Sequence, residues 1–382
     1  MEESRLSSWV RGGLIAIAIG LIVGLFIGAF RGSSVIAGEL LTPREVPPGP
    51  SYEVELVGAG RIVLPRNDVT EREGIWGVTT GIDAYGLMAG VISQDAETIE
   101  RSFRTLEGRF IAGESVSIDA YAEGPNPMVA FGMEFDDARV PGELGVNPAW
   151  FIPGISDTWA IIVHGEGLDE RRQALRVLPT YVDAGLPVLV ITYRNDGAAP
   201  DDGGFYRWGL SEWQDIDAAV AFAANRDAQG FVLHGFGMGA NIVSMHLHES
   251  DHAPDVMGAV LDSVVVDLGA VVDRIAAERG IPGIVNSAAK SVARVQFGLE
   301  WAELNQQARA GQFDTPLLVL HGSSDELSPV DSVEEFVAAL GGPATYERFD
   351  GAGRVELWNH DPERYSAAIL EFLLDVGVTA DS

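Results

Sequence analysis

The spacing of hydrophobic and polar positions changes along the chain. Residues 12–30 read GGLIAIAIGLIVGLFIGAF and contain no charged side chain. Residues 51–153 hold short runs of alternating or β-branched character, separated by Gly, Asn, Asp and Pro. From Thr158 onward, continuous apolar runs alternate with amphipathic stretches. These patterns predict, in order, an apolar helix, a small antiparallel β-rich region and an α/β domain.

The N-terminal apolar run is close to the length of a bilayer-spanning helix. It has 19 residues, against the roughly 20 that cross the hydrocarbon core. We expect residues 1–31 to form a single-pass membrane anchor. Arg5 and Arg11 precede the span and Arg31 follows it, which favours a cytoplasmic N-terminus and an extracytoplasmic main domain. The alternative is a secretory signal peptide cleaved after Ala37.

Two segments connect the anchor to the α/β domain. Residues 32–50 include the run TPREVPPGP, whose prolines favour an extended linker. Residues 51–153 are predicted to form a β-rich accessory region. This region carries no group of residues typical of a catalytic site, so a structural role is expected for it.

The remainder, residues 154–378, is predicted to be an α/β domain. Continuous apolar strands that alternate with helices indicate a mostly parallel, doubly wound sheet with helices on both faces. Residues 265–312 are longer than a simple connection, and we expect helices from Leu268 to Arg279 and from Asn286 to Ala310 to form a cap. In such sheets the active residues gather at the carboxyl ends of the strands.

Composition excludes several classes of function. The chain has 56 acidic and 25 basic residues, for a formal net charge of -31. A protein of this charge repels phosphate backbones, so we expect no nucleic-acid partner. It contains no cysteine, which rules out disulfides, thiolate catalysis and cysteine-ligated metals. No motif suggests a metal or another cofactor, and none is expected.

Four motifs follow the predicted strands. They are His164-Gly165-Glu166-Gly167, Gly235-Phe236-Gly237-Met238-Gly239, His321-Gly322-Ser323-Ser324-Asp325 and Gly351-Ala352-Gly353-Arg354. On the basis of these four motifs, the stretch from about Ile152 to Val376 resembles the α/β-hydrolases, most closely the bacterial serine-hydrolase and acyl-peptidase-like branch. The resemblance implies an α/β-hydrolase fold, with backbone N–H groups near Gly165, Glu166 and Met238 as an oxyanion hole.

The resemblance also implies a catalytic triad, of which only Asp325 matches. Gly237 stands at the position of the serine nucleophile, and Arg354 stands at that of the histidine base. Glycine offers no nucleophile, and a guanidinium has no lone pair with which to accept a proton. We therefore expect a non-catalytic pseudo-hydrolase that binds a small acyl or apolar ligand or a partner protein. An ion pair between Arg354 and Asp325 is also expected.

Two alternatives remain open at this point. An atypical esterase or peptidase would use His360 as a displaced base, with Ser263, Ser323 or Ser324 as nucleophile. A dinucleotide-binding protein would use Gly235-Phe236-Gly237-Met238-Gly239-Ala240, which matches G-x-G-x-x-A, with Asp262 contacting a ribose.

Overall fold

The computed structural model describes residue 20 and residues 23–44, 50–81, 84–121, 124–168 and 170–378. Within these ranges the strands form two sheets, one of seven strands and one of eight. A long apolar helix, α1 (Val23–Leu41), precedes both sheets. The order of an apolar helix, a β-rich region and an α/β domain is therefore confirmed.

Helix α1 has the length and composition of a membrane-spanning helix, which a signal sequence or a core helix can share. Most of the predicted span, residues 12–19, 21 and 22, lies outside the described residues, as do residues 45–49 of the predicted linker. The helix continues through Leu41. The first part of the predicted extended linker, from residue 32, is thus helical.

The end of α1 is held by the α/β domain. The backbone N–H of Tyr206 donates a hydrogen bond to the Leu41 carbonyl at 2.7 Å, and the Trp208 indole donates to the Leu40 carbonyl at 2.8 Å. The last carbonyls of a helix lack partners within it. These two bonds supply such partners, which explains why the helix persists where proline spacing favoured an extended chain.

The first sheet closes into a small barrel. Its strands are β1 (Ser51–Glu53), β2 (Leu56–Gly58), β3 (Arg61–Pro65), β4 (Trp76–Thr79), β5 (Tyr85–Gln94), β6 (Thr98–Glu107) and β7 (Ser115–Asp119). They pair antiparallel in the order β1-β7-β4-β5-β6-β3-β2. Because only two residues separate β1 from β2, the two ends of this order meet. Buried side chains such as Trp76, Met88 and Phe103 fill the interior.

The second sheet is mostly parallel. Its strands are β8 (Asp136–Pro141), β9 (Val146–Ile152), β10 (Thr158–Val163), β11 (Val188–Ile191), β12 (Gly230–Phe236), β13 (Val256–Asp262), β14 (Leu317–Gly322) and β15 (Ala344–Phe349). Their order is β15-β14-β13-β12-β10-β11-β9-β8. The strands from β15 to β11 pair parallel, and β9 and β8 add antiparallel. The sheet thus begins before residue 153, inside the segment predicted as accessory.

Helices cover both faces of this sheet. They are α2 (Pro127–Phe131), α3 (Leu178–Asp183), α4 (Trp213–Ala224), α5 (Met238–Glu249), α6 (Leu268–Glu278), α7 (Gly283–Phe297), α8 (Gln306–Arg309), α9 (Val330–Ala339), α10 (Leu357–His360) and α11 (Pro362–Asp375). Helices α4 to α7 and α9 pack in one core, and α3, α10 and α11 in the other. The predicted cap contains α6, α7 and α8. The helix expected from Asn286 to Ala310 ends instead at Phe297, and Gly298 caps it with φ +70°.

The barrel is fixed against the end of the α/β domain. The Asn359 amide donates to the carbonyls of Ile75 at 2.9 Å and Ala120 at 2.6 Å. The Arg72 guanidinium pairs with the Glu356 carboxylate at 2.7 Å. Asn359 and Glu356 both follow the loop that carries Arg354, so the barrel supports this loop from outside the sheet.

Candidate active site

The turn at Gly237 joins β12 to α5 in a strained conformation. Gly237 has φ +54° and ψ −115°, a region that other residues enter at a cost of about 1–3 kcal/mol. A Cβ on Gly235 would lie 2.4 Å from the Gly239 backbone, and one on Gly239 would lie 2.2 Å from the Val163 carbonyl oxygen. The flanking glycines are therefore required by packing, as in a nucleophile elbow.

The carboxylate of Glu166 fills the space above this turn. Glu166 follows β10, the strand beside β12. Its Oε2 accepts a hydrogen bond from the Met238 backbone N–H at 2.9 Å, and its own backbone N–H also donates to the carboxylate. A Cβ on Gly237 would lie 2.6 Å from Oε2, which is closer than nonbonded atoms approach. A carboxylate of the chain itself thus occupies the predicted oxyanion hole, at the N-terminus of α5, where negative charge is favoured.

Arg354 holds Glu166 from the other side. Its Nε donates to Glu166 Oε1 at 2.8 Å and its Nη2 to Oε2 at 3.3 Å. Its Nη1 donates to the Ser263 carbonyl at 2.5 Å and to Asp325 Oδ2 at 3.3 Å. The Nη2 atom also lies 3.0 Å from a Cβ built on Gly237. The structure therefore brings the three triad positions together and fills the space between them with an ion-pair network.

The charges of this network are mutually stabilised. The side chains of Asp325, Arg354 and Glu166 are 0%, 16% and 39% exposed. Burial acts to raise the pKa of Glu166, but the Arg354 charge and the hydrogen bonds to the carboxylate lower it below its ordinary value. Burial acts to lower the pKa of Arg354, but the two carboxylates raise it above its ordinary value. Glu166 and Arg354 are consequently both charged at neutral pH, and neither is set up to act as a general base.

We expect the Glu166 charge to stabilise the fold in neutral but not in acidic solution. The folded pKa of Glu166 lies below its ordinary value of 4.5. The contribution is therefore complete above about pH 6 and is lost as the pH falls through 4.5 toward the folded pKa. The measurement is the free energy of unfolding in urea for the wild type and Glu166→Gln, from about pH 3.5 to 7. A difference between the two proteins that does not shrink in acid would contradict this expectation.

His360, the alternative base, lies beside the barrel. It ends α10 and lines a cavity of about 220 Å³ together with Arg72, Trp76 and Glu356. None of the described residues that line this cavity is a serine. The structure thus supplies no nucleophile next to His360 in that cavity.

Two of the candidate serines, Ser263 and Ser323, have partners of their own. The Ser263 hydroxyl donates to Asp262 Oδ1 at 2.7 Å and accepts from the Val355 N–H at 2.9 Å. The Ser323 hydroxyl accepts from the Gly351 N–H at 2.8 Å. Each hydroxyl fixes the loop around Arg354, and neither of these bonds involves a histidine base.

Buried histidines at the strand ends are bound to internal partners. The pairs are His164 with Asp196 (3.0 Å), His234 with Tyr181 (2.9 Å) and His321 with the Ser328 carbonyl (2.8 Å). All three rings are fully buried. These contacts give the three histidines a structural role beneath the site.

Asp262, the ribose-binding candidate, is also enclosed. Its carboxylate is fully buried and accepts hydrogen bonds from Tyr365 and Ser263, both at 2.7 Å. A ribose could not reach it without opening the core. Since packing explains the glycines of the turn, the geometry argues against the dinucleotide alternative.

Comparison with known proteins agrees with this architecture. No protein-family model matches the sequence. The uncharacterized protein YqkD of Bacillus subtilis (strain 168) is 25% identical over 222 residues, which cover 56% of this chain and 70% of YqkD. The Pyrococcus furiosus esterase Pf2001 superposes with a TM-score of 0.53 and 22% identity, over 66% of this chain and 97% of the esterase. The chain has the α/β-hydrolase fold. The structure of DcsB with its substrate analogue also superposes, with a TM-score of 0.51 and 14% identity, over 63% of this chain and 99% of that chain.

Within the α/β-hydrolase fold, the side chain of Glu166 is the feature that sequence reasoning missed. From the sequence, the loop that contains Glu166 was expected to contribute only a backbone N–H donor. In the structure, the Glu166 carboxylate binds both Met238 and Arg354. The sequence feature that could have predicted this contact was the opposite charge of Glu166 and Arg354. An acidic residue in the oxyanion loop and an arginine at the base position were both present in the sequence.

Proposed function

We propose that this chain is a membrane-anchored, non-catalytic protein of the α/β-hydrolase fold that binds an acyl or apolar ligand. The observation that carries the proposal is the Glu166 carboxylate, which lies against the Met238 N–H and is paired with Arg354. In an active hydrolase that N–H group stabilises the oxyanion of the reaction intermediate. Here an internal anion takes the same place.

Three separate requirements of acyl transfer are unmet in this site. Gly237 has no nucleophile, Arg354 cannot accept a proton, and Glu166 occupies the oxyanion hole. Loss of one oxyanion-hole donor alone costs roughly 10²–10³ in rate, and loss of triad members costs more. The combined losses support a role in binding.

The membrane and ligand parts of the proposal rest on other observations. The uncharged run of residues 12–30 and the exposed apolar side chains of α1 support an anchor. The distribution of Arg5, Arg11 and Arg31 favours an extracytoplasmic main domain. The acyl ligand is suggested by the likeness to an esterase, since an ester substrate carries an acyl group.

Incubation of the purified full-length chain with a fluorophosphonate probe should leave its intact mass unchanged. The probe reacts with an activated serine, and the hydroxyls of Ser263 and Ser323 near this site are bound to structural partners. An active serine esterase treated in parallel serves as the control for probe reactivity. A stoichiometric adduct would overturn the non-catalytic assignment, and peptide mapping would then identify the nucleophile.

A further inference from the structure

An apolar groove of about 390 Å³ lies between α1 and the cap helices α6 and α7. This volume is within the ~300–1,000 Å³ typical of small-ligand sites. The lining is mainly apolar and includes Val35, Ile36, Val272, Ala276 and Val285. The groove is thus suited to a hydrocarbon chain, and it is lined by residues other than those of the Glu166 and Arg354 network.

Contacts between α1 and the cap helices bound the groove. Along one line α1 touches α7, since a Cβ on Gly28 would lie 3.0 Å from Val285 and one on Gly32 would lie 2.7 Å from Ala289. Further along, Glu39 of α1 forms an ion pair with Arg279 at 2.8 Å. The groove is therefore bounded by interactions that fix α1 to the cap.

The groove lies where α1 would leave a bilayer. The uncharged run ends at Phe30 and Arg31 follows. Phe26 and Phe30 of α1 are 71% and 59% exposed, and Ile284 in the first turn of α7 is 70% exposed. Apolar side chains of this size that are exposed together are typical of a membrane or partner contact. Since Gly28 touches Val285, the residue after Ile284, the start of α7 sits at the level of the last apolar turns.

We propose that this groove binds one acyl chain of a bilayer phospholipid. The inference rests on the anchor in the proposed function, but not on the loss of catalysis. The apolar walls take the hydrocarbon, and the exposed Arg31 beside them is placed to pair with the phosphate, as guanidinium groups do. Arg279 is already paired with Glu39, which leaves the phosphate to Arg31.

The test uses the full chain reconstituted in phosphatidylcholine vesicles that contain a phosphatidylcholine with a diazirine on one acyl chain. Irradiation should attach the probe to groove residues such as Val272, Ala276 and Val285. Val35→Trp, which adds bulk at a lining position that is 42% exposed, should lower this labelling about tenfold. Val295→Trp on α7 is the matched control, because Val295 is 87% exposed and is not a lining residue.

Several outcomes would overturn the proposal. Labelling confined to Phe26, Phe30 and Ile284, or lowered equally by both variants, would show general immersion in lipid. Displacement of the probe by excess free oleate but not by excess phosphatidylcholine would show a fatty-acid site. If Val35→Trp does not fold by circular dichroism, Ile275→Trp on the opposite wall replaces it.

Flotation of the vesicles distinguishes failure of the membrane anchor from failure of the lipid site. If the chain does not float with the vesicles, the anchor in the proposed function is wrong. If the chain floats but the groove is not labelled, the anchor stands and the lipid site is wrong. The reactivity of the chain toward fluorophosphonate is measured separately and bears on neither result.

Discussion

The triple variant Gly237→Ser, Arg354→His, Glu166→Ala should react with a fluorophosphonate at least about a hundredfold faster than the double variant Gly237→Ser, Arg354→His. The double variant restores the nucleophile and base but keeps the Glu166 carboxylate, which in the wild type lies 2.6 Å from a Cβ built at position 237 and is bound to the Met238 N–H. Removing that carboxylate frees both the space and the oxyanion hole. The measurement is intact mass against time of incubation with the probe.

A matched control carries alanine in place of the new serine. The variant Gly237→Ala, Arg354→His, Glu166→Ala has the same backbone strain at φ +54° and should form no adduct. Its thermal unfolding should match that of the triple variant, so a lack of reactivity cannot be attributed to misfolding. A triple variant that folds but stays unreactive would show that the site is not a hydrolase site disarmed at these positions.

Replacing Arg354 with alanine should destabilise the fold by about 3 kcal/mol. Removing one partner of a buried pair typically costs about 3–5 kcal/mol, and Glu166 is 39% exposed, which places the expectation at the lower end. The Asp325 side chain has no exposed surface and would lose its cationic partner. The measurement is urea unfolding at neutral pH, compared with the wild type.

Two further variants show whether the stability lost in Arg354→Ala comes from the carboxylates of Glu166 and Asp325 that are left without a cationic partner. Arg348→Ala removes surface ion pairs with Glu334 and Asp350, in which all three side chains are more than 40% exposed, and should cost less than about 1 kcal/mol. Adding Glu166→Ala to Arg354→Ala should recover part of the lost stability, because one unpaired carboxylate is then gone. If Arg354→Ala costs no more than Arg348→Ala, the network does not stabilise the fold.

The α/β domain was predictable because its strands are buried on both faces. All six residues of β10 and all seven of β12 are buried, so each strand reads as a continuous apolar run. The outer strands β8 and β9 were not predicted to belong to this sheet. Exposed positions in β8 make it resemble the barrel strands, and only pairing with β11 through β9 assigns both to the second sheet.

The local sequence pattern also gave the wrong prediction for the end of α1. The prolines near residue 43 favoured an extended linker, but the helix runs to Leu41 because Tyr206 and Trp208 bind its last carbonyls. Those partners lie more than 160 residues away in the chain. The hydrophobic periodicity around residue 41 carries no information about partners so distant in the chain.

The sequence by itself determined the fold class, the tight turn at Gly237 and the residue types, glycine and arginine, at positions 237 and 354. These follow from local information, namely strand burial, glycine spacing and residue type. The tertiary structure alone decided which side chains meet at this turn. Only when the strands from β10 to β15 pair in one sheet do Glu166, Asp325 and Arg354 meet above Gly237. The physical reason is that charge pairing depends on distances of a few ångströms, which parallel strands far apart in sequence create when they form one sheet.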